Sequence, residues 1–213
     1  MRPISSKLMN QTEEYDARII AGAAELFRNY GIRAVTMDSI ATHLGISKRT
    51  IYERFHDKDE LLYAVMNDMI QKQKEMVENI LNTSSNVMEA VFTVIRIGRE
   101  HMSSMNPLIG SDLRKYHDSV LQRIKDNCDN PDYEGNRKML QAGIAQGLFR
   151  DDIDIEIISR AVTGLGGIVG DTNRFPPEQF TQRDLIRNII INYLRGISTA
   201  RGNKLIDEME PGF

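Results

Sequence analysis

Between Thr36 and Phe55 the chain reads TMDSIATHLGISKRTIYERF, and this stretch limits the fold more than any other. Met37, Ile40, Ala41 and Leu44 mark one helical face over two turns, and Gly45 is placed to end it. Thr36 has the character of an N-cap, with Asp38 in the first turn. Ser47 is placed to cap a following helix that runs to about Arg54, with Ile51 and Phe55 four residues apart on its inner side. Helix, three-residue GIS turn, helix is the spacing of a helix-turn-helix, where a glycine lets the chain turn sharply. Lys48, Arg49 and Tyr52 then fall outward, near a helix N-terminus whose free N–H groups suit phosphate. An arginine here can take a guanine edge bidentately, and a threonine or tyrosine can bond phosphate or pack on a thymine methyl. The plainer alternative is a solvated basic face on a small bundle.

The rest of the chain also carries the helical period. Ile19, Ile20, Ala23, Ala24 and Phe27 recur within a helix from Thr12 to Tyr30, stopped at Gly31. Asp57 to Glu60, DKDE, is a capping-box pattern that opens a helix through Leu62, Val65, Met69, Met76 and Ile80. Further helices are expected from Val87 to before Pro107, twice within residues 108–127, around Met139 to Leu148, from Ile155 to about Gly170, and from Arg183 to Ala200. DNPDYEGN reads as a turn-rich break and GNKLIDEMEPGF as a tail. No stretch has the strand period, and no internal repeat stands out. The class is all-α.

Two of these helices, IEIISRAVTGLGGIVG and DLIRNIIINYLRGI, are apolar over more than one stripe. A single stripe packs on the chain's own core. The excess points to a second packed face and a partner subunit. Gly164, Gly167 and Gly170 lie three apart, and each glycine inside a helix costs about 1 kcal/mol against alanine. Close helix approach would offset that cost; a kink is the other reading.

Other functions find little support. The four histidines are scattered, the one Glu-x-x-His at Glu53 and His56 lacks its counterpart, and GLGGIVG carries valine where a dinucleotide loop needs its third glycine. No cofactor or metal is expected. The single cysteine, Cys128, cannot form an internal disulfide, and no apolar run nears the roughly 18 residues of a membrane span, so a cytoplasmic protein is expected. The formal charge is −3, yet Arg33 to Lys58 carries five basic residues against Asp38, Glu53 and Asp57. A cationic patch on an acidic body suits one local polyanion contact and discourages indiscriminate binding.

At this point a resemblance is plain. Ala23 to Leu62, AAELFRNYGIRAVTMDSIATHLGISKRTIYERFHDKDELL, resembles the N-terminal DNA-binding domain of the tetracycline-repressor (TetR) family, and GIAQGLFRDDID is similar to a stretch common in its C-terminal half. The resemblance implies a three-helix DNA-binding domain at residues 12–58 and a helical ligand-binding and dimerisation domain at 59–205, about nine helices in all. It implies that Thr36 bonds phosphate, that Ser47, Lys48, Arg49, Thr50 and Tyr52 line the major groove, and that Lys58 reaches the DNA backbone. Arg49 departs from the small residue common in the family, and Glu53 from the usual aromatic or histidine, which leaves the operator sequence open. The implied partners are a double-stranded palindromic operator, a second copy joined through the last two helices, and a small-molecule effector that releases a repressor from DNA. The effector cavity would lie among the fourth to eighth helices, where Met66, Met69, Phe92, Ile95, Met102, Met105 and Met139 could line it and Arg99, His101 or Tyr116 could anchor a polar group; core packing is the alternative for each. Two other readings stay open: a DNA-binding regulator that senses no small molecule, and a helical protein–protein interaction module that has kept the fold.

Overall fold

The computed structural model describes residues 4–104, 106, 108–127 and 131–212; Cys128 lies outside them. Its helices are α1 (Ile4–Tyr30), α2 (Met37–Leu44), α3 (Lys48–Tyr52), α4 (Lys58–Thr83), α5 (Val87–Ser104), α6 (Leu108–Tyr116), α7 (Asp118–Asn127), α8 (Pro131–Ala145) and α9 (Ile155–Val169). Then α10 (Gln182–Leu185), a π-helical stretch (Ile186–Ile191) and α11 (Asn192–Ile197) follow without a break, before α12 (Ala200–Met209). The described residues hold no strand, only an isolated bridge between Phe149 and Ser198. The all-α expectation holds. The chain divides into two compact units, Met1–Gln71 with Ser104–Asp129, and Lys72–Ser103 with Asn130–Phe213.

The first unit follows the local signals closely, except that α1 begins at Ile4 rather than Thr12 and α3 ends at Tyr52 rather than about Arg54. Gly31 (φ 80°) and Gly45 (φ 65°) end α1 and α2 in the left-handed region. Thr36 Oγ1 accepts from the Ser39 N–H, and Ser39 Oγ accepts from the Thr36 N–H in return. Asp57 Oδ1 caps α4 by accepting from the Glu60 N–H, while the Glu60 carboxylate reaches one residue further back, to the N–H of His56. Ile19, Ala23, Phe27, Ile40, Ile51, Phe55, Leu61 and Leu62 form the core. Two later helices join it, through Ile109 and Leu113 of α6 and Val120 of α7. Buried Asp112 accepts from the Arg33 N–H at 2.9 Å, and His117 Nδ1 lies 2.6 Å from Asp59 Oδ1.

The second unit departs from the sequence reading in four places, one of them that α8 ends at Ala145 rather than near Leu148, since Gly147 (φ 67°) turns the chain out of the helix. Within DNPDYEGN, helix α8 already starts at Pro131, because a proline at the first helical position loses no needed N–H. The expected tail is α12, which buries Ile206 completely. Thr199 caps it by accepting from the Gly202 N–H, and the Thr199 N–H donates to Leu148 O. Arg187 and Arg195 both pair with Glu210 at 2.6 Å. The preceding helix ends at Ile197 rather than Ala200, because Ser198 turns extended (φ −88°, ψ 151°) to meet Phe149. Ile80, Val87, Met88, Leu140, Leu148, Phe149, Ile191, Leu194 and Ile206 make the core.

Candidate nucleic-acid interface

Helix α3 is short, and its position is held from beneath. Ile51 and Phe55 are buried in the first core. The Arg54 guanidinium forks onto both oxygens of Asp16 on α1, at 2.6 and 2.7 Å, a planar bidentate pair that sets orientation as well as distance. Arg18 Nη2 donates to Leu44 O at 2.9 Å and so satisfies the end of α2. These supports come from residues 26 to 38 positions away, so the local pattern gave no sign of them.

What is left facing outward is the cationic side. The Arg49 side chain is 87% exposed, and Lys48 and Tyr52 are about half exposed. Lys48 Nζ bonds Asp38 Oδ2 at 2.8 Å and lies 6.0 Å from the Tyr52 ring centre; Arg49 Nε bonds Glu53 Oε1 at 2.8 Å. These hydrogen bonds hold both cations above their ordinary pKa, the Asp38 bond for Lys48 and the Glu53 bond for Arg49. Exposed pairs of this kind are weak, so an incoming anion can displace the carboxylates. Ser47 Oγ accepts from the Thr50 N–H at 3.1 Å and lies 2.7 Å from Thr50 Oγ1. Thr36 caps α2 in the same way. Thr36, Ser47, Lys48, Arg49, Thr50 and Tyr52 thus belong to two consecutive helix starts and the outer face of α3.

Lys58 is placed differently. Its Nζ donates to Ile32 O at 2.6 Å and to Val35 O at 2.5 Å, across the α1–α2 connection. Burial lowers its pKa, against the opposing pull of Asp112 and Asp59. An ammonium has three N–H donors, and these carbonyls take two.

The second unit contains an apolar pocket of about 110 Å³ between α5, α8, α9 and residues 190–197. Of the side chains suggested by the sequence, Ile95 and Met139 line it. Phe92 is in the core, Met66, Met69 and Tyr116 belong to the first unit, Arg99 and His101 do not line the pocket, and Met102 and Met105 fall outside the described side chains. Asn136, Val162, Leu165 and Tyr193 line it without having been singled out, because nothing local marks which apolar residues surround a void. Among the described residues, no three His, Cys, Asp or Glu side chains gather as a metal site requires, and no helix is long and apolar enough to cross a membrane.

Comparison with known proteins adds the following. Residues 19–65 match the family described as bacterial regulatory proteins, tetR family. An uncharacterized HTH-type transcriptional regulator of Bacillus subtilis, YvaF, is 35% identical over 103 residues, covering 48% of this chain and 54% of that one. The match therefore spans little more than half of that relative. The HTH-type transcriptional repressor KstR2 of Mycolicibacterium smegmatis is 23% identical over 143 residues, 66% of this chain and 70% of the repressor. Among solved structures, a gamma-butyrolactone receptor described as ArpA-like is similar with a TM-score of 0.63 at 19% identity, covering 95% of this chain and all of that one. At that identity the likeness is one of fold.

Proposed function

We propose that this chain, which belongs to the tetR family of bacterial regulatory proteins, is a homodimeric transcriptional repressor that a small molecule releases from a palindromic DNA operator. The observation that carries the reading is the outward Lys48–Arg49–Tyr52 surface at the capped start of a helix whose inner side is pinned by Ile51, Phe55 and the Arg54–Asp16 fork. A base-reading element needs rigid support and displaceable cations, and this one has both. Residues 12–58 act as the DNA-binding domain and 59–205 as the regulatory and dimerisation domain. Arg49 reads base edges. Thr36, Ser47, Lys48, Thr50 and Tyr52 bond phosphates or adjacent bases, and Lys58 offers its third N–H to the DNA backbone.

Dimerisation through the last two long helices is favoured by what they leave uncovered. A Cβ built at Gly164, Gly166 or Gly167 of α9 would meet nothing within 4 Å, and Ile157 of the same helix is 64% exposed. Glycines cost helix stability, and within one chain nothing repays it here. A second copy laid along this face would. A twofold dimer would present two α3 helices about 34–36 Å apart, or a small multiple of that, to successive turns of the groove. The ligand-responsive part of the reading draws on the receptor of the same fold. Such a protein acts in the cytoplasm, where its operator is.

The test is selection of bound fragments from random DNA with the purified chain. Enrichment of an inverted repeat is expected. Enrichment of no sequence at all would leave the protein–protein module as the better reading.

A further inference from the structure

Every basic residue between Arg33 and Lys58 is already engaged in the chain by itself. The Arg33 guanidinium lies 5.1 Å from the Tyr116 ring centre and donates to its hydroxyl. Arg54 is forked onto Asp16, and Lys58 onto two carbonyls. Lys48 and Arg49, which face outward, are each held at 2.8 Å by a carboxylate, that of Asp38 and that of Glu53. The outer face of α3 is therefore close to neutral, although its stretch of sequence is basic.

Stability does not account for these two carboxylates. The Asp38 and Glu53 side chains are both more than half exposed, and ion pairs in solvent contribute little to folding. Arg49 and Glu53 stand one turn apart on the same helix end, so their pair ties no element to another. What the carboxylates do change is how the two cations meet DNA. An arginine has five N–H donors in a planar fork, and Glu53 takes the one on Nε. The terminal Nη edge stays available to two acceptors on one base, so a guanine can be read with Glu53 still in place. A phosphate brings a negative charge of its own. It must displace the carboxylate or lie beside it, and like charges brought together cost affinity. The same balance holds for Lys48, whose ammonium has three donors and gives one to Asp38.

We infer that Asp38 and Glu53 are specificity-determining residues, which hold Lys48 and Arg49 back from indiscriminate phosphate binding and leave them able to reach the base edges of an operator. Discrimination is a difference of two affinities, and these carboxylates act by lowering the affinity for the wrong DNA. The inference rests on the proposed DNA-binding reading.

The test compares the wild-type full chain with Glu53→Gln and Asp38→Asn, on the selected operator and on a random duplex, over a series of salt concentrations. Melting curves confirm that each variant is folded. Glu53→Gln should tighten random-duplex binding roughly fivefold, the upper end of what an exposed pair is worth, and operator binding no more than about twofold. The operator preference then falls. Asp38→Asn should shift the same ratio through Lys48. On random duplex the plot of log affinity against log salt should steepen by about 0.9 for each carboxylate removed, as one more phosphate is neutralised. Glu156→Gln is the control for overall charge, since Glu156 belongs to the second unit, where it pairs with Arg137 and Arg160; it should leave the ratio unchanged. The inference is overturned if both folded variants keep the wild-type preference, or if Glu156→Gln lowers it as much as they do. The two readings fail separately. An enriched operator with unchanged variants would keep the repressor and sink the role of the carboxylates. Tighter and more salt-dependent random-duplex binding by the variants, with no sequence enriched, would sink the repressor and keep the carboxylates' restraint on phosphate binding. No DNA bound by the wild type or either variant, even at low salt, would sink both.

Discussion

Helices α2 and α3 and the pair made by α9 and residues 182–197 bury their side chains by different rules. The first pair hides one narrow stripe, Met37, Ile40, Ala41 and Ile51, and its starts and the end of α2 are closed by Thr36, Ser39, Ser47 and Arg18. Its outer side is charged and hydrated and needs no partner to be stable. The second pair keeps Ile189, Ile190 and Tyr193 only partly buried, turns four glycines toward empty space and leaves a hydroxyl unpaired. The contrast teaches which partner each region suits. A polyanion competes with water for a surface that is already complete, whereas apolar partners finish a surface that is not. Two glycines show the same split. Gly45 is required by its backbone, at φ 65° with open space around it, while Gly202 is required by its neighbours, since a Cβ there would sit 2.2 Å from Leu148 O.

The largest effect should come from a charge in the second region. Ile190→Glu places an unpaired carboxylate in the apolar pocket wall and should cost roughly 3 kcal/mol or more, giving monomers or unfolded protein. An intact dimer by light scattering, melting as the wild type does, would remove this helix from both interface and core. Gly202→Ala should lose about 2–3 kcal/mol in urea unfolding by forcing Leu148 and α12 apart, and Gly45→Ala about 1 kcal/mol from backbone strain alone. Equal losses would erase the distinction between the two glycines.

In the first region the expected effects concern DNA. Arg49→Ala should relax base preference by about 1–3 kcal/mol at one position of the operator. Lys58→Ala should weaken binding evenly across sequences, and it should also lower stability, because Ile32 and Val35 lose their shared donor. Competition titrations with operator and random DNA separate the two patterns, and an even loss for Arg49→Ala would end its base-reading role. Helix α4 runs unbroken from Lys58 to Thr83 through both units, and exposed Gln71 and Gln73 lie where they meet along the chain. Replacing both by glycine should soften it by about 1 kcal/mol each. Operator binding should survive while ligand-triggered release weakens; unchanged release at equal ligand affinity would show that α4 does not carry the signal.

The smallest effect is one of pH. Hydrogen bonds from Arg195, with the Arg187 contact behind it, hold Glu210 below the usual carboxylate range. A depressed folded pKa means stability that is present above the unfolded value, near 4.3, and is lost as pH falls through the folded one. Glu210→Gln should therefore cost at most about 1 kcal/mol at pH 7 and almost nothing near pH 2, read from melting curves at each pH. A constant difference at both pH values would assign the effect to packing of α12.

Periods, caps and turn residues act between positions at most four or five apart, which is why most helices, the GIS turn and the outward face of α3 could be read directly from the residues. Thr36, Ser47 and Asp57 hold helix starts as their types and spacing indicate. The tail that proved to be α12 shows the limit of that reading. Leu205, Ile206 and Met209 are too few to announce a buried helix, and what holds them is Leu148, some fifty residues earlier, and Arg187 and Arg195. The same holds for the Arg54–Asp16 support of α3, the two carbonyls beneath Lys58 and the void around Tyr193. Each depends on atoms brought together from distant parts of the chain. Local chemistry decided which segments are helices and which faces are polar; only packing decided which polar atoms are satisfied, and Tyr193 Oη is one it leaves open.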